Sequence, residues 1–296
     1  MSNRSDKKQR IIRYGSVSSV AAIVLMAAAT LIYSWISVSQ DAYTGATAEA
    51  RFFDVGQGDA AIFLWDEGAI LIDSGTNSSE ETLVEYINRL RIDKIDLAVF
   101  THPHEDHIGG ADKVLEAFDI RSVLMPDASA NSMTYTSMME CVKEEGCPVY
   151  EASAGGEYSF GDVTLTVLSP TREYGDLNLD SAVVMIKYGD VSFLFMGDCE
   201  REAELEALEM MGVDAFDCDV IKVGHHGSYT STSDELLSAA TPDIAVISCG
   251  ENNEYGHPHR ETVSKLDAHG VDTYRTDEEG TVIICTDGVS FWYKKR

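Results

Sequence analysis

The densest chemistry in the chain lies between Thr101 and Gly110, in the run Thr-His-Pro-His-Glu-Asp-His-Ile-Gly-Gly. Three histidines and one aspartate (His102, His104, Asp106 and His107) fall within six residues, directly after the apolar run that ends in Phe100. Imidazole nitrogen and carboxylate oxygen are the ligands that suit zinc and its divalent neighbours. In a loop leaving a strand, His102 and His104 can face one point, and Asp106 and His107 a second point a few ångströms away. The spacing therefore predicts two metal ions rather than one. Gly109 and Gly110 let the backbone turn tightly and open the next helix.

Three further apolar runs end in residues of the same kind. Asp198 closes one, in Met196-Gly197-Asp198, where a carboxylate bridging two metals would sit; alone, such an aspartate reads as a turn or helix cap. His225-His226-Gly227-Ser228 closes a second, with a metal ligand expected in the histidine pair. Asp73 closes a third, in Leu71-Ile72-Asp73-Ser74-Gly75, placed to accept a hydrogen bond from a ligand imidazole. Strand ends that converge on one histidine cluster support one another.

The elements that must position these residues alternate between strand and helix. The runs ARFFDV, AAIFLW and AILID are short, β-rich and separated by glycine, and read as strands. TLVEYINRL, GADKVLEAF, CEREAELEALEMM, SDELLSAA and ETVSKLDAHG carry helical periodicity. KIDLAVFTH, RSVLM, VTLTVLSP, SAVVMIKYG, VSFLFMGD, DVIKVGHH, IAVISCG, VDTYRT, TVIICT and VSFWYK read as strands, with a hairpin expected across Tyr188-Gly189-Asp190. Residues 46–296 are expected to form one α/β domain with two sheets, strands clustering early and late.

Composition bounds the function. The 296 residues are 44% hydrophobic and 24% charged, which excludes intrinsic disorder, collagen and a multi-span membrane protein. Net charge is −28, unevenly spread. Residues 1–40 hold five basic residues and one acid; the remaining 256 hold 17 basic and 49 acidic. So acidic a body repels phosphate at long range, although a metal site inverts the local field. Residues 1–15 are basic and polar, and residues 16–38 carry no charge. That pattern predicts a single-pass anchor with its basic end cytoplasmic and the body outside, or a cleaved signal sequence and secretion. The anchor reading is preferred, because the run exceeds an ordinary signal core and the Ala48-Glu49-Ala50 cleavage pattern lies well past it. An exported body permits disulfides. Among the six cysteines no C-x-x-C pair exists, and only Cys141 and Cys147 are spaced to close a small loop.

The combination H-x-H-x-D-H, an upstream strand-end aspartate, a Gly-Asp and a late histidine resembles the metallo-β-lactamase superfamily. Asp54-Val55-Gly56-Gln57-Gly58-Asp59-Ala60, Leu71 to Gly75, Lys222 to Ser228, Tyr255-Gly256-His257-Pro258 and Tyr274-Arg275-Thr276-Asp277 narrow this to the hydrolase domain of ComEC-type competence (DNA-uptake) proteins. The match covers about residues 50–293, and the many-span channel part of those proteins is absent. The resemblance implies a four-layer αββα sandwich with two divalent ions, zinc or manganese, at one edge. It implies that His102 and His104 bind the first ion, Asp106 and His107 the second, and that Asp198 bridges. One histidine of the 225–226 pair would complete the second site, His225 being favoured as the first after the strand. The third-motif histidine usual in the superfamily is missing. Asp176-Leu177-Asn178-Leu179-Asp180-Ser181 stands there, leaving the first site one ligand short or served by Asn178 or Asp180. Asp59 and Gln57 are implied as supporting residues.

On this reading no serine or cysteine nucleophile is needed, and Cys199, beside Asp198, is expected to pack rather than ligate. Asp106 or Asp198 orients the attacking water. His257 contacts a substrate oxygen or protonates the leaving group. Free backbone N–H groups at Gly227 and Ser228, ahead of a helix beginning near Ser233, hold a phosphate oxygen, and Asn178 borders the substrate. The implied substrate is a phosphodiester, single-stranded DNA in particular. Only Lys222, Arg260, Lys265 and Arg275 supply positive charge near the motifs, which suits a small extracellular phosphodiester or other ester as the alternative. A non-catalytic metal-binding surface protein, or a DNA binder that does not cut, are the readings from other classes. No protein partner is predicted.

Overall fold

A computed structural model describes residues 45–295, and the expected basic segment and apolar anchor lie outside the described residues. Among the described residues no helix is long and apolar enough to cross a membrane. The chain opens with β1 (Ala48–Phe52), β2 (Ala61–Trp65) and β3 (Gly68–Ile72), then α1 (Glu80–Arg89), β4 (Lys94–Ile95), β5 (Leu97–Val99), α2 (Glu105–Ile108) and α3 (Ala111–Ala117). β6 (Asp119–Ile120), β7 (Val123–Met125), α4 (Met133–Glu145), β8 (Val149–Glu151), β9 (Glu157–Phe160) and β10 (Val163–Ser169) follow. β11 (Val183–Tyr188), β12 (Val191–Phe195), α5 (Arg201–Met211), β13 (Val220–Lys222), α6 (Asp234–Ala240) and β14 (Ile244–Ile247) come next. The chain closes with α7 (Arg260–His269), β15 (Asp272–Arg275), α8 (Thr276–Glu279), β16 (Val282–Thr286) and β17 (Phe291–Tyr293).

Two sheets result. One runs β17-β16-β1-β2-β3-β5-β7-β8 and the other β15-β14-β13-β12-β11-β10-β9. The central strands of both sheets are buried on both faces, and their period of two decides which residue meets which layer. In β2, Phe63 and Trp65 enter the core between the sheets, while Ile62 and Leu64 join a core with Leu83 and Ile87 of α1, Val114 of α3 and Met138 of α4. In β12, Phe193 and Phe195 face inward, while Leu194 packs in a third core with Ala207 of α5 and Leu236 of α6. Phe63 meets Phe193 edge-on at 5.2 Å between ring centres, and Phe52 stacks on Phe195 at 5.7 Å, so aromatic pairs join the sheets. This is the expected αββα sandwich. Residues 46–296 pack as one unit.

The parallel strands matter most for function. β3, β5, β7 and β8 pair in parallel in the first sheet, and β12, β13, β14 and β15 in the second. Ligands bind outside the carboxyl ends of such strands. Asp73 follows β3, His102 follows β5, Asp198 follows β12 and the His225–His226 pair follows β13. The hairpin between β11 and β12 forms as expected, Tyr188 pairing with Val191 across Gly189-Asp190.

Two features depart from the sequence reading. Residues 126–162 hold α4, β8 and β9, for which the sequence reading gave no elements. α4 buries only Met138 and Val142, and β8 is exposed at every residue, so neither carries the apolar periodicity that announces an element. Cys141 and Cys147 are free thiols, not a disulfide: they flank the last turn of α4 and its left-handed Gly146 cap, and both pack against the core between the first sheet and its helices.

Candidate metal centre

Asp198 is the hub. It is 2% exposed, its backbone N–H donates to Ser181 Oγ at 3.2 Å, and its two carboxylate oxygens face different partners. His107 Nε2 lies 3.2 Å and His226 Nε2 3.7 Å from Oδ1. His102 Nε2 lies 3.7 Å and His225 Nε2 3.6 Å from Oδ2. Asp106 Oδ2 stands 3.1 Å from His226 Nε2, and His102 Nε2 stands 2.9 Å from His104 Nδ1. Two clusters of ligand atoms come together: Asp59, His107, Asp198 and His226 in one, and His102, His104 and Asp198 in the other.

Two of the imidazoles, those of His107 and His226, are held from behind by carboxylates. His107 Nδ1 meets Asp73 Oδ2 at 2.8 Å, and Asp73 is itself fixed by the Thr101 N–H and hydroxyl, both donating at 2.7 Å. His226 Nδ1 lies 3.1 Å from both Asp59 Oδ1 and the Ser248 carbonyl. Asp59 Oδ2 pairs with Lys222 Nζ at 2.7 Å, and Lys222 also donates to the Val223 carbonyl at 2.9 Å. Carboxylates behind a histidine fix its tautomer and leave the far nitrogen facing a metal. The Asp59 N–H donates to the Asp106 carbonyl at 3.0 Å, and a Cβ on Gly58 would stand 2.5 Å from that oxygen, so a glycine must precede Asp59.

Charge tells the same story. Burial opposes ionisation of Asp198, but His107 and His226 hold its carboxyl well below the carboxylate range. Burial likewise opposes a charge on His226, yet Asp198 and Asp59 raise its pKa to about 10. Burial also opposes a charge on His107, which Asp198 and Asp73 lift well above the ordinary range. The carboxylates thus favour positive charge at the centre. Even so, His107 Nε2 and Asp198 Oδ1, both buried, make no hydrogen bond. Donors this close that do not bond to each other fit a divalent ion between them. The set is nitrogen and oxygen only. Cys199 turns its sulfur toward the Glu200 carbonyl at 3.8 Å, and burial pushes its thiol well above the usual range, so it packs, as expected, rather than ligates.

Three sequence expectations need amendment. The place beside His107 is taken by His226, not by the favoured His225, because the backbone after β13 turns left-handed at both residues (φ 49° and 52°). Asp180 is not free to ligate: its two oxygens accept the Tyr174 and Gly175 amides at 2.6 and 3.1 Å, capping their loop. The Ser228 N–H, expected to hold phosphate, donates to the His225 carbonyl at 2.8 Å. Asn178 keeps its side-chain oxygen buried without a partner. Gln57 Oε1 accepts the Gly250 N–H at 3.0 Å, bracing the site's rim. His257 lies over His226, ring centres 6.1 Å apart, and 5.6 Å from His225. Burial and the neighbouring histidines lower its pKa to about 4, so it is a neutral imidazole with Nδ1 unpartnered. Lys222, Thr101 and Glu200 were missed as supporting residues. Lys222, a lysine inside the apolar run Val220-Ile221-Lys222-Val223, was the one legible signal among them.

A model of the metallo-beta-lactamase superfamily matches residues 54–251. The chain belongs to that superfamily. It is a metal-dependent hydrolase by family, and the fold implies divalent metal ions at a site such as this. Similar curated proteins are ComE operon protein 3 of Bacillus subtilis (strain 168), 30% identical over 79% of this chain and 32% of the relative, and Recombination protein 2 of Haemophilus influenzae, 28% identical over 83% and 29%. Competence protein ComA of Neisseria gonorrhoeae is 27% identical over 86% of this chain and 35% of its own length. The chain thus spans about a third of the relatives it matches. Among solved structures, the metallo-beta-lactamase fold protein YhfI from Bacillus subtilis superposes with a TM-score of 0.53 at 11% identity, covering 84% of this chain and all of YhfI, which shows the fold alone.

Proposed function

We propose that this protein is an exported, membrane-anchored phosphodiesterase that uses two divalent ions, zinc or manganese, and acts on nucleic-acid strands. The observation that carries this reading is Asp198, one buried carboxylate whose two oxygens each face a separate group of histidines. That arrangement suits two groups of ligands, one for each of two divalent ions. Asp106, His107, His226 and Asp198 would hold one, and His102, His104 and Asp198 the other. Bound there, the ions supply a water acidic enough to attack near neutral pH and polarise the phosphoryl oxygens. Asp106 and Asp198, kept ionised by the histidines around them, orient that water. His257, neutral at pH 7, donates a hydrogen bond to a substrate oxygen rather than a proton to the leaving group.

The choice of phosphodiesters, and DNA strands first, is supported by relatives named for competence and recombination. The rim offers stacking in place of a basic groove. Tyr255, 68% exposed, lies near-parallel to His257 at 5.7 Å, and Tyr229, 64% exposed, packs beside His259 at 4.9 Å. Base stacking on exposed aromatic rings tolerates any sequence. Residues 16–38 would anchor the chain, with residues 1–15 cytoplasmic and the hydrolase domain outside; cleavage after the apolar run would secrete it instead.

The test mixes full-length protein, loaded with Mn²⁺ or Zn²⁺, with labelled single- and double-stranded DNA, beside Asp198→Ala. Cleavage by the parent alone is expected. DNA left intact by the parent, with turnover of a dinucleotide or phosphocholine ester, would replace the strand substrate by a small phosphodiester. Salt-sensitive DNA binding without metal-dependent turnover of any ester would refute the enzyme.

A further inference from the structure

The first metal group, as assembled above, is short of a histidine, and the Asp176–Ser181 stretch does not provide one. Asp176 Oδ1 accepts the Asn178 and Leu179 amides, Asp180 caps Tyr174 and Gly175, and Ser181 Oγ is bonded to the Asp198 amide. We propose that His225 is the third histidine of that first group, standing in for the histidine absent upstream. The proposal rests on the two-ion reading.

Three independent observations carry it. The first is position: His225 Nε2 and His102 Nε2 approach the same oxygen of Asp198, at 3.6 and 3.7 Å, whereas His226 and His107 approach the other. The second is support. His107 has Asp73 behind its Nδ1, His226 has Asp59, and His225 has Glu200 at 3.4 Å, with the Thr230 hydroxyl at 3.5 Å. Thr230 in turn donates to Glu200 at 3.1 Å, locking the carboxylate in place. A carboxylate behind one nitrogen with the other turned to the centre is the arrangement of a metal-binding imidazole. The third is backbone. Two successive non-glycine residues in the left-handed region are costly for L-amino acids and cluster at functional sites. Here they set the His225 and His226 rings 6.1 Å apart at 72°, so one adjacent pair serves both oxygens of one carboxylate. The His225 side chain is 22% exposed, against 2% for His226, leaving it room to settle on an ion. The rival donor is Asn178, whose side-chain oxygen is buried and unpartnered.

The experiment counts metal. Full-length wild type, His225→Asn, His226→Asn, Glu200→Gln and Asn178→Ala are titrated with Co²⁺, following its d–d absorption, and bound metal is measured by mass spectrometry. Asparagine tolerates the left-handed backbone, and circular dichroism with thermal unfolding verifies that each variant folds. Wild type is expected to bind two ions. His225→Asn should keep one tight ion and bind the second at least tenfold more weakly, with the loss in the spectral band that His226→Asn leaves intact. Glu200→Gln should weaken the same ion by about tenfold. Two tight ions in folded His225→Asn, or selective loss of the first-group ion in Asn178→Ala with His225→Asn unaffected, overturns the proposal and leaves the two-ion reading standing. A single ion in wild type overturns the two-ion reading itself.

Discussion

The Lys222–Asp59 pair is the sharpest test of how this site is held, because it stands behind His226, an imidazole that faces the metal site. Lys222→Met keeps the stem's bulk and removes the charge. The Lys222 side chain is 4% exposed and that of Asp59 7%, so solvent does not screen the pair. Removing one partner of a buried pair typically costs about 3–5 kcal/mol, because the other charge is left stranded. Asp59 keeps His226 at 3.1 Å, which favours the lower end, while the lost bond to the Val223 carbonyl adds about 1 kcal/mol. For a body of this size that corresponds to a drop in Tm of roughly 6–20 °C. The double variant Asp59→Asn/Lys222→Met strands no charge and should recover about 2–3 kcal/mol of the loss. The pH dependence follows from the same pair. Burial alone would raise the Asp59 carboxyl, but Lys222 and His226 outweigh it and lower it to about 2. A carboxyl depressed in the fold contributes stability above its unfolded pKa of about 3.9 that is lost as pH falls through the folded value. Without Lys222 that contribution shrinks, so the gap between wild type and Lys222→Met should narrow from pH 7 to pH 3. Urea unfolding in EDTA, run at several pH values, measures all of this. A Lys222→Met cost under about 1 kcal/mol, or a double variant equal to the sum of the single changes, would refute the reasoning.

His257→Ala should lower turnover by about 10²–10³ with bound metal unchanged, the cost of losing one aligned donor at a developing charge; metal loss in the variant would place His257 in the ligand set instead. Tyr255→Ala and Tyr229→Ala should each lower kcat/KM on a short single strand by about tenfold while sparing an abasic strand of the same length, and an equal loss on both would remove the stacking role. Gly58→Ala pushes a methyl into the Asp106 carbonyl, so metal titration should show weaker binding of the ion held by Asp106 and His226, whereas unchanged affinity would mean the loop yields freely. Iodoacetamide should label Cys141 and Cys147 in the folded protein and spare Cys199, Cys218, Cys249 and Cys285, since burial pushes the Cys249 thiol to about 12 and that of Cys285 to about 11; mass spectrometry of more than two adducts before unfolding would contradict the packing described.

What was legible in the sequence divides along a physical line. Strand-end residues such as His102, Asp198 and Asp73 follow apolar runs whose period and length declare where the chain stops being sheet, so their convergence at one edge is legible in the sequence. α4 and β8 bury too little to leave that imprint. The second divide is backbone direction. Sequence order made His225 the natural ligand after β13, and nothing in residue types announces that His225 and His226 both turn left-handed. That single local choice moves His226 beside His107 and turns His225 to the other oxygen of Asp198.

The third divide concerns what stands behind the ligands. Glu200, two residues after Asp198, reaches His225 some 25 positions further along the chain, and Lys222, at the end of β13, reaches Asp59, just before β2 of the other sheet. Such pairs join distant positions by one contact, so no spacing records them. Only the improbability of a lysine between Ile221 and Val223 hints at a buried partner. On the proposed reading, the supporting carboxylates also let so acidic a body act on phosphate. Asp73 and Asp59 are turned inward onto His107 and His226, and Glu200 onto His225, where their charge favours a bound cation rather than repelling substrate. On the same reading, Tyr255, Tyr229 and neutral His257 are the groups that would meet a nucleic-acid strand.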